Sequence, residues 1–110
     1  MDNYLNNLFG ALSDPTRRAA VERLCKGPAT VSTLFENHEM AMPTFMKHLS
    51  KLETAGLVKS QKKGRVRTLY IEAMPLIKIQ NWISEHQAIW DARLDALTQL
   101  AEREDKIERD

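Results

Sequence analysis

The fold is decided by residues 42–58, which read MPTFMKHLSKLETAGLV. Apolar residues recur there at the spacing of one helical face, and Gly56 follows where a left-handed C-terminal cap belongs. The stretch therefore predicts a helix from about residue 42 to about residue 55. Its inward-facing residues are Phe45, Met46, Leu49 and Leu52. The opposite face then carries one stripe of polar side chains, namely Thr44, Lys47, His48 and Lys51.

A short helix is predicted just before this stretch, with Val31, Leu34 and Phe35 facing inward and residues 37–39 forming a turn. Two helices joined by a short turn over residues 31–55 form the helix-turn-helix layout, whose second helix lies in the major groove of DNA. Threonine can contact a thymine methyl group, lysine can reach guanine acceptors or phosphates, and histidine offers a donor in either tautomer. The alternative is that the stripe is only the solvent face of an amphipathic helix.

The residues after Gly56 change to a β pattern. Residues 57–61 can be extended, residues 62–65 supply a turn, and residues 66–71 are rich in β-prone types. A β-hairpin over residues 57–72 is predicted, and its tip carries Lys62, Lys63, Arg65 and Arg67. Such a wing reaches DNA phosphates or the adjacent minor groove. Residues 42–70 hold seven basic residues and a single acidic one, which favours a polyanionic partner over a merely solvated basic face.

Helices are also predicted at both ends of the chain, which we take as a single domain over residues 1–110. Residues 1–12 form a first amphipathic helix, and Asp14 and Pro15 start a second that runs to about Cys25, a predicted core residue. Pro75 opens a long helix to about residue 100, and residues 102–110 form a charged tail. The fold class is therefore mainly α with a small β-hairpin, a winged helix-turn-helix.

The terminal helices over residues 1–12 and 75–100 carry more apolar surface than a core of this size can bury. An isologous two-fold interface between two copies would cover it, although both helices packing within one monomer is the alternative. The predicted dimer-interface residues are Leu5, Leu8, Phe9, Trp82, Ile83, Trp90, Leu94 and Leu97.

Composition narrows the function classes. A single cysteine excludes an intrachain disulfide, and the chain has neither a long apolar run nor the layout of a secretory signal at residues 1–7. We therefore expect a cytoplasmic protein with no membrane partner. The three histidines fall on separate predicted elements, and no glycine-rich phosphate loop or serine elbow occurs. Neither enzymatic activity nor a cofactor is expected.

Several motifs resemble ArsR-type winged helix-turn-helix repressors. They are LFGALSDPTRR at residues 8–18, MPTFMKHL at 42–49, LETAGLV at 52–58, KGRVR at 63–67 and WDARLD at 90–95. The resemblance covers about residues 5–100. It implies a homodimer that binds double-stranded operator DNA through the fourth helix and the wing. It also implies that the protein represses transcription. If an effector exists, its identity is unknown, and it would relieve the repression.

The sequence departs from the pattern of metal-sensing members of that family. Residues 31–37 contain neither cysteine nor histidine, and the last helix offers His86 with only carboxylates nearby. No metal site is therefore predicted, although a metal-responsive or redox-responsive repressor stays as an alternative. Another alternative is a winged-helix protein-interaction module that has lost DNA binding. A neutral or acidic stripe and wing would favour that module, whereas this sequence has basic ones.

Overall fold

A computed structural model describes the backbone of residues 2–109 and the side chains of residues 3–107. Met1 of the predicted first helix and Asp110 of the predicted tail lie outside the described residues. The chain forms two compact units, the first ending at Leu76 and the second beginning at Ile77. The elements are α1 (Asp2–Ala11), α2 (Pro15–Leu24), β1 (Ala29–Thr30), α3 (Val31–Phe35), α4 (Met42–Thr54), β2 (Val58–Lys63), β3 (Val66–Ile71) and α5 (Ala73–Arg109).

Local capping explains where the helices of the first unit begin. The carboxylate of Asp14 accepts a hydrogen bond from the backbone N–H of Arg17 at 3.1 Å, and Pro15 occupies the first turn of α2. The hydroxyl oxygen of Thr30 accepts from the backbone N–H of Thr33 at 3.2 Å and caps α3 in the same way. The start at Asp14 confirms the sequence prediction.

The end of α4 is a Schellman motif centred on Gly56. The backbone N–H of Gly56 donates to the carbonyl of Glu53, and the N–H of Leu57 donates to the carbonyl of Leu52, each at 3.0 Å. Gly56 has a φ of 79°, a left-handed conformation that is nearly free for glycine. The predicted cap is confirmed, and it turns the chain directly into β2.

The strands form an antiparallel sheet in the order β1-β3-β2. Strands β2 and β3 are joined by two residues, of which Gly64 comes first with a φ of 64°, as in a type II′ hairpin turn. This hairpin is the predicted wing. The pairing of Ala29 with Leu69 and of Thr30 with Thr68 adds β1, a strand that the sequence prediction lacked.

The core of the first unit lies between α4, the other helices of that unit and one face of the sheet. Its fully buried side chains include Leu8, Leu24, Phe45, Leu52, Leu57 and Leu69. The placement of Cys25 in the core was wrong, because this residue caps the C-terminus of α2 and is exposed where the chain turns away. Leu8, expected at a dimer interface, has no exposed surface and packs inside the protomer instead.

Helix α5 is 37 residues long and runs through most of the predicted tail. The expectation that the helix ends near residue 100 was wrong. Residues 101–109 are charged, but they are mainly Glu, Arg, Lys and Ala and contain neither glycine nor proline. These side chains favour helix, so nothing in the sequence stops it before Arg109.

Candidate nucleic-acid interface

Helix α4 presents part of the predicted stripe to solvent. Thr44, Lys47 and Lys51 are exposed, whereas Phe45, Leu49 and Leu52 on the opposite face are buried. The three exposed side chains are one donor–acceptor hydroxyl and two cations, and no carboxylate lies among them. This face of α4 can donate hydrogen bonds to base edges or phosphates without repelling an anion.

His48, the fourth predicted member of the stripe, is only 20% exposed. Its Nδ1 lies 2.9 Å from Nη1 of Arg17 and 3.7 Å from Oδ2 of Asp14. The ring is therefore held against the start of α2 and sits at the edge of the stripe. Arg17 lies in the motif at residues 8–18, but its role at the site was not predicted. That role depends on a contact between residues 31 positions apart, which no local pattern reveals.

The pKa of Asp14 lies below its ordinary value of 3.8. Partial burial acts in the opposite direction and would raise the pKa. It is outweighed by the hydrogen bond from the backbone N–H of Arg17, the positive potential of His48, a further backbone hydrogen bond from Thr16, and the charge of Arg17. The capping carboxylate is thus kept ionised in the fold.

The wing carries its cations on different faces. Lys62 and Arg67 are cross-strand partners and share the face that packs on the core, whereas Lys63 points to the other face and Arg65 is in the turn. Lys62, Lys63 and Arg65 are exposed, and Arg67 is half-buried. The strand register therefore separates Lys63 from the other three cations of the wing.

A groove of about 410 Å³ runs between the wing and the helix-turn-helix. Lys62, Arg65 and Arg67 line its wing side, and Ser32 of α3 and Met46 of α4 line the other. Three cations and no carboxylate face this space, so its chemistry suits a phosphodiester.

Arg67 is held in place by a chain of two hydrogen bonds. Its Nη1 donates to the hydroxyl oxygen of Ser60 at 3.1 Å, and that hydroxyl donates to Oε1 of Glu53 at 2.9 Å. Because Glu53 belongs to α4, these two hydrogen bonds connect the wing to α4. Helix α4 is the predicted recognition helix, the one that lies in the major groove of DNA. The sequence prediction missed Ser60 and Glu53.

A second groove of about 600 Å³ separates α4 from α1. Lys47 and Lys51 line it from α4, and Asn6 and Asn7 line it from α1. Both predicted lysines of the stripe therefore open onto a groove whose lining residues also include no carboxylate.

The remaining predicted residues lie on the terminal helices. Phe9 on α1 and Ile83, Trp90, Leu94 and Leu97 on α5 are exposed, whereas Leu5 and Trp82 are half-buried. On α5, the rings of Trp82 and Trp90 lie 6.2 Å apart edge to face, with His86 beside both. The part of the chain that the structure describes contains no group of three or more histidine, cysteine, aspartate or glutamate residues arranged to hold a metal ion. Between residues 2 and 109, no helix has the length and apolarity needed to cross a membrane.

Comparison with known proteins identifies the class of regulator. HTH-type transcriptional regulator Rv2034 of Mycobacterium tuberculosis is 33% identical over 94 residues, which are 86% of this chain and 85% of that protein. A crystal structure of an ArsR family transcriptional regulator, RHA00566, is 47% identical and superposes with a TM-score of 0.78, covering 83% of this chain and 94% of that one. The chain belongs to the ArsR family. Transcriptional repressor SdpR of Bacillus subtilis is 30% identical over 79 residues, covering 72% of this chain and 88% of the repressor.

The family model described as "Bacterial regulatory protein, arsR family" matches residues 14–60 of this ArsR-family chain. The matched stretch runs from the cap of α2 through α4 into β2. The protein is a transcriptional regulator with a winged helix-turn-helix DNA-binding fold, as the sequence predicted.

Proposed function

We propose that this ArsR-family protein represses transcription by binding, as a homodimer, to a two-fold operator in double-stranded DNA. The main support for the proposal is that one winged-helix unit has two basic surfaces. The exposed face of α4 holds Thr44, Lys47 and Lys51, and the wing groove beside Met46 holds three further cations. Neither surface includes a carboxylate, so both favour a polyanion.

Each surface has its own task in this proposal. Thr44, Lys47 and Lys51 read base edges from the major groove, because they are exposed and share one face of the second helix of the helix-turn-helix. The wing cations Lys62, Lys63, Arg65 and Arg67 bind backbone phosphates, which fixes the register of the protein on DNA. His48 contributes from the edge of the stripe.

The homodimer is proposed from the apolar surface of the terminal helices. Trp90, Leu94 and Leu97 are each about half or more exposed on α5, and Phe9 is 42% exposed on α1. Large apolar side chains at such exposure indicate an interaction surface, and a second copy is the partner that a two-fold operator requires. Leu5, Trp82 and Ile83 complete the proposed interface, and Leu8 no longer belongs to it.

The proposed activity is binding and not catalysis. A repressor of this kind acts in the cytoplasm, where the DNA is, and the proposed mechanism requires neither a metal nor a cofactor. The relative SdpR is named a transcriptional repressor, which supports repression over activation.

The test is fluorescence anisotropy of the purified protein with DNA from upstream of its own gene, at several salt concentrations and with random DNA as competitor. We expect a steep inverse salt dependence and a preference for the operator of roughly a thousandfold or more. Lys59→Ala serves as a charge-matched control, because Lys59 pairs with Glu72 outside both grooves. Absence of binding at low salt would overturn the proposal and favour a protein-interaction module.

Thr44→Ala and Lys51→Ala test whether α4 reads sequence. We expect each to weaken operator binding roughly tenfold or more at particular base pairs, because a lost base contact costs about 1–3 kcal/mol. Binding to a set of operators with single base-pair changes measures this selectivity. Equal losses on operator and random DNA would mean that these side chains contact only phosphates.

A further inference from the structure

Arg17 is the only charged residue buried among the side chains that the structure describes. Its guanidinium donates to three acceptors: the carbonyl of Ala11 from Nε at 2.6 Å, the carbonyl of Gly10 from Nη2 at 3.3 Å, and Nδ1 of His48 from Nη1 at 2.9 Å. The first two are carbonyls at the C-terminal end of α1, where the helix dipole favours a cation, and that of Gly10 also accepts from the N–H and the hydroxyl of Ser13. Arg17 therefore joins the end of α1 to the recognition helix.

The contact with Arg17 determines which nitrogen of His48 can carry the proton. A guanidinium has five N–H donors and no acceptor, so the atom that faces it must supply a lone pair. Nδ1 of His48 is that atom, and in the neutral ring the proton must then be on Nε2.

The Nε2 atom of His48 is open to solvent. The polar contacts of the ring, with Arg17 and with Asp14, both involve Nδ1. Among the described side chains, no buried nitrogen or oxygen atom lacks a hydrogen-bond partner. An Nε2 outside these contacts is therefore accessible, and it belongs to a residue of the stripe that also holds Thr44, Lys47 and Lys51.

We propose that Arg17 is a positioning residue that selects the Nε2–H tautomer of His48. The recognition helix thereby presents a fixed imidazole donor at the edge of its exposed face, where it binds a phosphate oxygen of the DNA backbone. A phosphate is the acceptor because the ring is 20% exposed and lies against α2, away from the centre of the stripe. The phosphate contact rests on the proposed function, whereas the selection of the tautomer does not.

The tautomer is tested on the free protein by long-range proton–nitrogen correlation spectra at about pH 8.5, where imidazoles with an ordinary pKa of about 6.5 are neutral. We expect a protonated Nε2 and an unprotonated Nδ1 for His48. His86 is an internal reference with the opposite pattern, because its Nδ1 lies 2.8 Å from the carbonyl oxygen of Trp82, which can only accept. Loss of signals in His48→Asn assigns the resonances.

Arg17→Lys then removes the planar fork but keeps the charge. We expect the His48 resonances to move toward a mixture of both tautomers while those of His86 stay unchanged. A proton on Nδ1 in the native protein, or an unaltered His48 tautomer in Arg17→Lys, would overturn the role of Arg17.

Two substitutions of His48 separate positioning from DNA binding. The amide oxygen introduced by His48→Asn can stand near the Nδ1 position and accept from Arg17, but no donor remains at the Nε2 position. His48→Gln reverses this, since the longer amide reaches the Nε2 position and leaves Nη1 of Arg17 without its acceptor. We expect His48→Asn to keep its melting temperature yet bind operator and random DNA about tenfold more weakly, as for loss of a hydrogen bond to a charged group.

His48→Gln is expected to melt at a lower temperature and to bind DNA more tightly than His48→Asn. Native affinity in His48→Asn, or a loss confined to particular base pairs, would contradict the phosphate contact. If the native protein binds no DNA at all, the proposed function fails, and the spectra still decide whether Arg17 sets the tautomer.

Discussion

At the scale of single residues, Asp14 combines two tasks at the start of α2. Its carboxylate caps the helix through the backbone N–H of Arg17, and it lies 3.7 Å from the ring of His48. The hydrogen bond favours the ionised form, and so does the ring of His48 when it carries a positive charge, so the pKa of this carboxyl lies below its ordinary value of 3.8 despite partial burial. The residue that starts α2 is therefore also coupled electrostatically to the recognition helix.

This coupling predicts how stability depends on pH. Because the pKa of Asp14 is lower in the folded than in the unfolded chain, its contribution is fully present above the ordinary value of 3.8 and is lost as the pH falls through the lowered value. Asp14→Asn keeps a capping oxygen but cannot titrate. We expect the melting temperature of the native protein to exceed that of the variant at neutral pH, and the gap to close below about pH 4.

Thermal unfolding of both proteins across that range measures the gap, with Asp95→Asn on α5 as a control at an exposed carboxylate. A gap that is constant with pH would show that the charge of Asp14 adds nothing to the cap.

At the scale of elements, the end of α4 sets the direction in which the wing leaves the helix. Gly56→Ala is expected to destabilise the protein by about 1 kcal/mol, because alanine is strained at a φ of 79° although an added Cβ would meet no atom within 4 Å. Gly10→Ala is the matched control. It also meets no atom within 4 Å, but it lies in α1 without a positive φ, so it should stabilise by about 0.5–1 kcal/mol.

Urea unfolding monitored by circular dichroism gives both values. If the free energy of unfolding falls in Gly56→Ala and rises by a similar amount in Gly10→Ala, the backbone conformation decides the effect and not a steric clash of the added Cβ. An unchanged free energy of unfolding in Gly56→Ala would mean that the Schellman motif accommodates alanine without strain.

The wing predicts a salt-dependent effect of its own. Arg65 is exposed in the turn and lines the groove toward α3 and α4. We expect Arg65→Ala to weaken binding to operator DNA and to random DNA about equally. The slope of log affinity against log salt concentration should also become shallower by about 1 for each protomer whose Arg65 contacts a phosphate. Anisotropy titrations measure the slope, and Lys59→Ala should leave it unchanged. An unchanged slope for Arg65→Ala would remove the wing tip from the interface.

The elements that sequence predicts well are those with local causes. The caps at Asp14 and Gly56 depend on a few neighbouring residues and are found as predicted. The turn predicted over residues 62–65 is shorter than expected, because Lys62 and Lys63 pair in β2 and only Gly64 and Arg65 join the strands. Strand β1 was missed because two residues carry no periodicity and pair with β3, which lies far along the chain. The contact of Arg17 with His48 was missed for the same reason, since it exists only once α1, α2 and α4 are packed.

At the scale of the whole molecule, the two units differ in how they use apolar residues. The first unit buries a set of large apolar side chains around α4, including Leu8, which sequence periodicity could not distinguish from an interface residue. In the second unit, α5 leaves Ile89, Trp90, Leu94, Leu97, Leu100 and Ile107 exposed. A helical stripe shows which side chains share a face, but not whether its partner is the same chain or another copy. This is why the dimer remains a prediction.

Trp90→Asp tests that prediction, because a carboxylate buried in an apolar seam without a partner is strongly unfavourable. Trp90 is 48% exposed in the protomer, and its ring lies 6.2 Å from those of Trp82 and His86 on its own helix, so the variant should still fold. We expect sedimentation velocity to show a monomer at concentrations where the native protein is a dimer, with a dissociation constant raised roughly tenfold or more, as for loss of an interface hot spot. Ile107→Asp places the same charge at an exposed apolar position outside the proposed interface and should leave the dimer intact. A monomeric Trp90→Asp that keeps its melting temperature but loses operator affinity would tie dimerisation to DNA binding, whereas a normal dimer would place the interface elsewhere.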